Sequence, residues 1–318
     1  MSISTVTPGA PSMSPAARDA LAMVGRLYTE LRDRRPKVER LDNYFRGRHP
    51  LAYASEAWSA HHRERYKNFS DNWCGVVASS PAERITVNGF RFDDQDATGV
   101  SDIERQLLRD WRINEMEAQS SQGFLQSIIA KRSFVLVWGS SDDEPVVTWE
   151  RPDEVVVAKD PAQPRRYVAA LKVWEDGDEE HANLYTDTAV WKWRRPKGVR
   201  TSAERTTDGG LIVPITLVDD GWKPRQDLGD DTWPLNNPLG EVPVTEVPNR
   251  PLLRGGPLSD IDGASHMQDA INLLWAYLFA AADHASLPAR VVMGQEPPSL
   301  PILDEQGRKV GAKPVDMT

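Results

Sequence analysis

The stretch that most limits how this chain can fold is a proline-free run from Ser259 to Ser286, set directly behind heavy punctuation. Pro238, Pro243, Pro248, Pro251 and Pro257 interrupt regular structure before it, and Gly255-Gly256 permit backbone angles that other residues avoid. With Ser259 or Asp260 as N-cap, Met267, Ile271, Leu274, Trp275, Leu278, Phe279 and Ala282 recur at three- and four-residue spacing, which predicts one long helix ended by Leu287-Pro288. At 1.5 Å per residue it is roughly 40 Å long, enough to leave the body of a domain. From Ala270 to Ala282 the run is apolar on nearly all sides, broken by Asn272 and the amphipathic Trp275 and Tyr277. A helix without a clean polar face is buried on more than one side. A membrane span would need about twenty apolar residues, and Asp269 and Asp283 bracket a shorter run. Two readings stay open on this stretch alone: the core helix of a monomer, or a helix packed against copies of itself through Ile271, Leu274, Trp275, Leu278 and Phe279. In the second, the small side chains of Ala276, Ala280, Ala281 and Ala282 permit close approach.

A chain of 318 residues is expected to form two or three structural units. Its 24 prolines predict many turns, and its 11 tryptophans large amphipathic surfaces at cores or interfaces. A net charge of -9 argues against a protein that grips nucleic acid over a broad basic surface, though not against one that DNA slides past. The single Cys74 excludes an internal disulfide and reads as a small buried hydrophobe. Residues 1–14 are a Ser/Thr/Pro segment without an apolar centre and read as a flexible terminus, not a secretory signal.

In chain order, the spacing predicts a helix from Pro15 to Asp33 and a second from Pro36 to Gly47, with a basic corner (Arg32, Arg34, Arg35, Lys37, Arg40, Arg46, Arg48) read as a solvated face. A third helix is expected from Ser55 to about Ser79, with Tyr66, Phe69, Trp73 and Val76 on one face, broken by Pro81. ERITVNGFRF reads as a hairpin turned at Asn88-Gly89. Two more helices, Ser101 to Ile113 and Met116 to Ala130, precede strand-like runs SFVLV, VVTWE, EVVVA, YVAALKVWE, ANLYTD and AVWKWRR at spacings too short for crossover helices. An antiparallel meander and an α+β fold class follow. From Pro196 to Asn237 a long loop or weak hairpin is expected, with LIVPITLV its one apolar block. After the long helix, ARVVM reads as a strand, and the chain then stops in mid-pattern at Thr318, the expectation for a sequence lacking its C-terminal portion.

No GxGxxG after a strand, no GxxxxGK[ST] and no GxSxG occurs, so signatures for a nucleotide cofactor or a hydrolase site are missing. HExxH is absent, and the adjacent His61 and His62 point about 100° apart on a helix. His49, His181, His266 and His284 are read as structural or solvent-exposed. The acidic clusters Asp93-Asp94-Asp96, Asp142-Asp143-Glu144, Asp176-Asp178-Glu179-Glu180 and Asp219-Asp220 fall at expected turns without EF-hand spacing. The residues give no catalytic group, metal or cofactor; the rival reading is a metal-dependent, nuclease-like enzyme using turn carboxylates such as Asp93, Asp94 and Asp96.

Ordered motifs then come into play: Leu41, Tyr44, Phe45, Gly47, His49, Pro50 and Leu51; Asn72 and Cys74; Glu83, Arg84, Val87, Gly89 and Phe90; Trp111 and Asn114. Leu184-Tyr185, Asn237, Leu239-Gly240, Val242-Pro243-Val244, Asn249-Arg250, Gly256, Ser259 and Asp269-Ala270-Ile271-Asn272 continue them. In this order they resemble the portal proteins of tailed bacteriophages, of the kind found in long-tailed phages of actinobacteria. The resemblance implies a ring, typically of twelve subunits, at one capsid vertex of the virion, assembled in the host cytoplasm, through which double-stranded DNA is packaged and ejected without sequence specificity. Partners implied are further copies of the chain, the major capsid protein, the terminase large subunit as packaging motor, and a head-tail connector, with no membrane. By order, residues 15–257 correspond to a mixed helical and antiparallel-sheet wing, 258–286 to a first stem helix, and 287–318 to the start of a small α/β clip. A second stem helix, a tunnel loop and a crown have no counterpart here, so an inactive prophage portal fragment is a further alternative. The resemblance favours the self-packing reading of the long helix.

Overall fold

The computed structural model describes residues 13–48, 71–91, 101–139, 144–198, 221–286 and 299–314. The expected helix over 55–70, the Asp93 to Asp96 and Asp142-Asp143 clusters, Asp219-Asp220, the LIVPITLV block, the ARVVM strand, and His49, His61 and His62 lie outside them. The fold is α+β, with five helices and four antiparallel sheets among the described residues. Two compact units, residues 1–272 and 273–318, part within the long helix rather than at its start.

Helix α1 runs unbroken from Pro15 to Phe45, with the Ser14 side chain accepting from the Ala17 amide and Pro36 inside it. The two expected helices are therefore one. Pro36 removes one helical hydrogen bond, but the helix is held on both sides of it. Val24, Leu27 and Leu31 pack on a sheet before it, and Leu41 and Tyr44 pack against helices after it. Just before the proline, Arg34 donates to the Val155 carbonyl at 3.0 Å and Arg35 to the Asp153 carbonyl at 3.0 Å. Those two arginines thus leave the solvated face expected for them.

Helix α2 spans Trp73–Ala82 and starts on Asn72, whose side chain accepts from the Gly75 amide, so no helix passes through position 72 as expected. It buries Cys74 and Ala78 and leaves Trp73 and Val76 exposed, the reverse of the expected face. Helix α3, Asp102–Ile113, opens on a reciprocal capping box between Ser101 and Glu104. Helix α4, Met116–Ala130, ends on Lys131 in the left-handed region (φ 76°). Residues 83–91 form no strand, so the expected hairpin is absent there. With no partner strand in reach, Phe90 lies edge-on against Trp111 of α3, centroids 5.6 Å apart.

The expected meander divides into two sheets. Strands β3 (Val155–Lys159), β4 (Tyr167–Asp176), β5 (Glu179–Tyr185) and β6 (Ala189–Pro196) form it, extended by β7 (Lys223–Pro224), while β8 (Leu235–Asn236) also pairs with β6. Strands β1 (Arg132–Gly139) and β2 (Pro145–Glu150) instead make a second sheet with β9 (Val244–Pro248) in the order β2-β1-β9. The proline-rich stretch was expected to break structure; β9 forms because it lies on a sheet edge, where prolines are tolerated. The larger sheet is covered on one face by α1 over Val156, Leu171, Val173 and Trp193. Phe134, Val242 and Val244 meet Val155, Ala170 and Val190 on its other face. Trp222, inside the expected loop, is fully buried against the α1 side. A short hairpin of β10 (Pro251–Leu252) and β11 (Gly256–Pro257) leads to helix α5, Asp262–Ser286. In the second unit, β12 (Ser299–Leu303) and β13 (Lys309–Pro314) pair as an antiparallel hairpin.

Candidate assembly surface

Helix α5 begins later than its expected caps. Ser259 instead donates its hydroxyl to the Ile129 carbonyl at 2.6 Å and accepts from the Ile261 amide, pinning the entry to the end of α4. Asp262, in the first turn, receives Arg40 at 2.6 Å and Lys131 at 3.1 Å. The buried positions that follow are Ser265, Gln268, Asp269, Asn272 and Ala276, one stripe at helical spacing below Ile261, polar except for its last member. Tyr44 donates its hydroxyl to the Asp269 carboxylate, 2.9 Å from each oxygen. Gln268 accepts from the Trp73 amide at 2.7 Å and donates to Asn272 at 3.0 Å and to the Asp71 carbonyl. Asn272 also accepts from the Asp71 amide at 3.0 Å. Burial, then the hydrogen bond and charge of Asp269, push the Tyr44 hydroxyl up to about 12. Burial, then Asp269, push the Cys74 thiol up to about 11.

The buried side of the helix is therefore mostly polar, while its large apolar side chains are exposed. Leu274 is 67% exposed, Leu278 54%, Trp275 39% and Phe279 36%, with Met267 and Tyr277 also open. Ile271 is half-buried. Trp275 and Phe279 stack, centroids 5.8 Å apart and planes 23° off parallel. Of the five residues expected to pack between copies, four thus lie on the open side. The anchoring role of Gln268, Asp269 and Asn272 was missed; the signal was polar residues at i, i+1 and i+4 in an otherwise apolar run.

Chemistry elsewhere in the first unit is muted. A cleft of about 840 Å³ is lined by parts of α1, α4, β2, the turn between β2 and β3, and β4. Its charges are largely paired: Arg46 with Asp42 at 2.7 Å, Arg151 with Asp153 and, at 3.6 Å, Glu154. Burial raises the Glu154 carboxyl above its usual range against the opposing charge of Arg151. Among the described residues no group of three or more His, Cys, Asp or Glu is placed to hold a metal ion. Of the expected acidic turn, Glu180 is instead buried on Arg195 at 2.6 Å, with Arg35 at 3.3 Å and the Tyr28 hydroxyl at 3.1 Å. Glu179 sits beside His181 at 3.3 Å. Cys74 is fully buried with a raised thiol, the reverse of what a nucleophile needs. No described helix is long and apolar enough to cross a membrane.

A family model described as phage portal protein, SPP1 Gp6-like, matches residues 25–315. A comparison with curated proteins finds no match.

Proposed function

Because the chain belongs to the SPP1 Gp6-like phage portal protein family, whose role is structural, we propose that it is one subunit of a closed portal ring at a capsid vertex. In this reading α5 is a stem helix, the body before it is a wing set outside the channel, and the hairpin after it begins a clip. The ring forms the conduit for DNA entering and leaving the capsid and a platform for the packaging motor, the terminase large subunit, and for the head-tail connector. Twelve copies is the number the resemblance implies. The acidic balance suits a conduit, since a strongly basic lumen would hold phosphates by counterion release.

The single observation that carries the proposal is the inverted polarity of α5. A helix that ties its polar stripe to its own body and leaves Leu274, Trp275, Leu278 and Phe279 open carries an apolar face for another surface. In a ring, that surface is supplied by neighbouring copies. Burying each large side chain between subunits would contribute about 1.5 to 3 kcal/mol, repeated around the ring.

Trp275→Ala or Leu278→Asp is then expected to lower the assembly mass seen by sedimentation while the body melts at the wild-type temperature. If α5 were the core of a monomer, the same changes would cost about 2 to 5 kcal/mol of fold stability. A clear fall in melting temperature with unchanged assembly mass overturns the stem assignment.

A further inference from the structure

Two features of the first unit are left over by the fold, and they fit each other. The first is a largely apolar groove of about 350 Å³ beside β1 and β2, lined by Val87, Phe90, Leu107, Trp111, Phe124 and Val147. Hydrogen bonds along the neighbouring strand edge are already taken. The Val147 amide donates to the Asn114 side chain at 2.8 Å and the Trp149 amide to the Gln119 side chain at 3.1 Å. An incoming chain therefore cannot extend the sheet here and must offer a side chain. Arg91 and Arg112, next to the lining residues Phe90 and Trp111 in sequence, are exposed and make no ion pair among the described residues, and Asp110, which also lines the groove, accepts from the Gln106 side chain at 2.8 Å.

The second is the turn between β7 and β8. Asp227 and Asp230 lock it: the Asp227 amide donates to the Asp230 carboxylate at 2.8 Å, and Lys192 bridges the two carboxylates at 3.0 and 2.7 Å. Gly229 takes the left-handed angle (φ 95°) the turn requires. Leu228 at its tip is 108% exposed. A leucine held fully in water by a pre-formed turn loses little freedom on docking. Asp231 beside it is exposed and makes no ion pair among the described residues.

We propose that the Leu228 turn of one copy inserts into the Val87–Trp111 groove of the next, with Asp231 facing Arg91 and Arg112. The contact joins two different surfaces of the same chain, the geometry that closes rings rather than dimers; it rests on the ring reading and names where bodies, as opposed to stem helices, would meet. Charge decides the choice of knob. Leu253, on the β10–β11 turn, is as exposed as Leu228, but its neighbour Arg254 would face the same arginines.

The test uses cysteine pairs. Leu228→Cys and Val87→Cys are made in separate full chains, both positions being exposed and Cys74 buried. After mixing, assembly and mild oxidation, a covalent dimer joining the two proteins is expected, well above the yield from Leu253→Cys mixed with Val87→Cys. Asp231→Arg and Arg112→Asp should each weaken assembly and should restore it together, whereas Leu228→Ala should weaken each contact about tenfold or more. Assembly that proceeds without the 228–87 cross-link, or without restoration in the double swap, overturns this contact and leaves the ring reading standing. A chain monomeric at every concentration overturns both.

Discussion

A methyl group at position 123 has nowhere to go. A Cβ there would sit 1.9 Å from the Trp149 ring, and that ring is fixed. Its indole N–H donates to the Ser133 hydroxyl at 2.8 Å, which donates to the Gly123 carbonyl at 2.9 Å. Gly→Ala inside a helix normally gains about 0.5 to 1 kcal/mol; here overpacking reverses the sign, and Gly123→Ala is expected to destabilise by about 1 to 3 kcal/mol in a chemical denaturation curve. Tyr44 is the second residue whose chemistry can be isolated. Its hydroxyl is raised from 10.0 to about 12, so its contribution is complete below pH 10 and is lost as pH climbs through 12. Cys74, raised from 9.0 to about 11, acts in the same direction one step earlier, and Tyr28 and Tyr185 are also raised by burial. Melting temperature should therefore fall between pH 9 and 12. Tyr44→Phe strips the buried Asp269 carboxylate of a donor, an expected loss of about 1 to 3 kcal/mol at neutral pH, and should flatten the part of the alkaline fall above pH 10. An unchanged melting temperature at neutral pH would show that the hydroxyl contributes nothing there.

Among the elements, Asn114 is the clearest single support: it closes the first half of the β2 edge, donating to the Pro145 carbonyl at 2.8 Å and accepting from the Val147 amide at 2.8 Å. Asn114→Ala leaves both groups open, with an expected loss of about 1 to 3 kcal/mol and a sheet edge free to pair with other chains. Earlier melting with a rise in light scattering is the expected reading; unchanged scattering would show that the edge is guarded by something else. The same elements show what sequence could convey. Helices α3 and α4 and strands β1 to β6 were legible because helical spacing and strand-like runs are local signals. Pro36 and the prolines around β9 misled because packing overrides a local penalty, through Arg34 and Arg35 at α1 and through edge position at β9. Asn88-Gly89 promised a turn, but a hairpin needs a partner that residues 83–91 do not have. At the candidate site, Leu274, Trp275, Leu278 and Phe279 were readable as one apolar set. Which side of α5 faces its own body was not, since that depends on Tyr44 and Asp71, each about 200 residues away.

For the whole molecule, the consequence lies in how defects propagate. The body is complete in itself: both faces of its large sheet are covered, by α1 on one side and by the β2-β1-β9 sheet on the other. Two of its buried carboxylates are neutralised from within, Glu180 by Arg195 and Arg35, Glu246 by Arg132 and Lys159. A change on the open face of α5 should therefore leave a soluble, folded chain that can still enter an assembly through its other contacts. In a closed ring every subunit completes two interfaces, so one defective copy damages the whole. With random incorporation, a tenth of Leu278→Asp chains would leave only about 30% of twelve-membered rings free of the variant. An isologous dimer would keep about 80% of its pairs intact under the same mixing. Titrating Leu278→Asp into wild type and following intact assembly by mass photometry therefore distinguishes the architectures. A steep, high-power loss is expected for the proposed ring. A loss near the square of the wild-type fraction would replace the ring with a dimer, and no loss at any fraction would mean that α5 joins no copies at all.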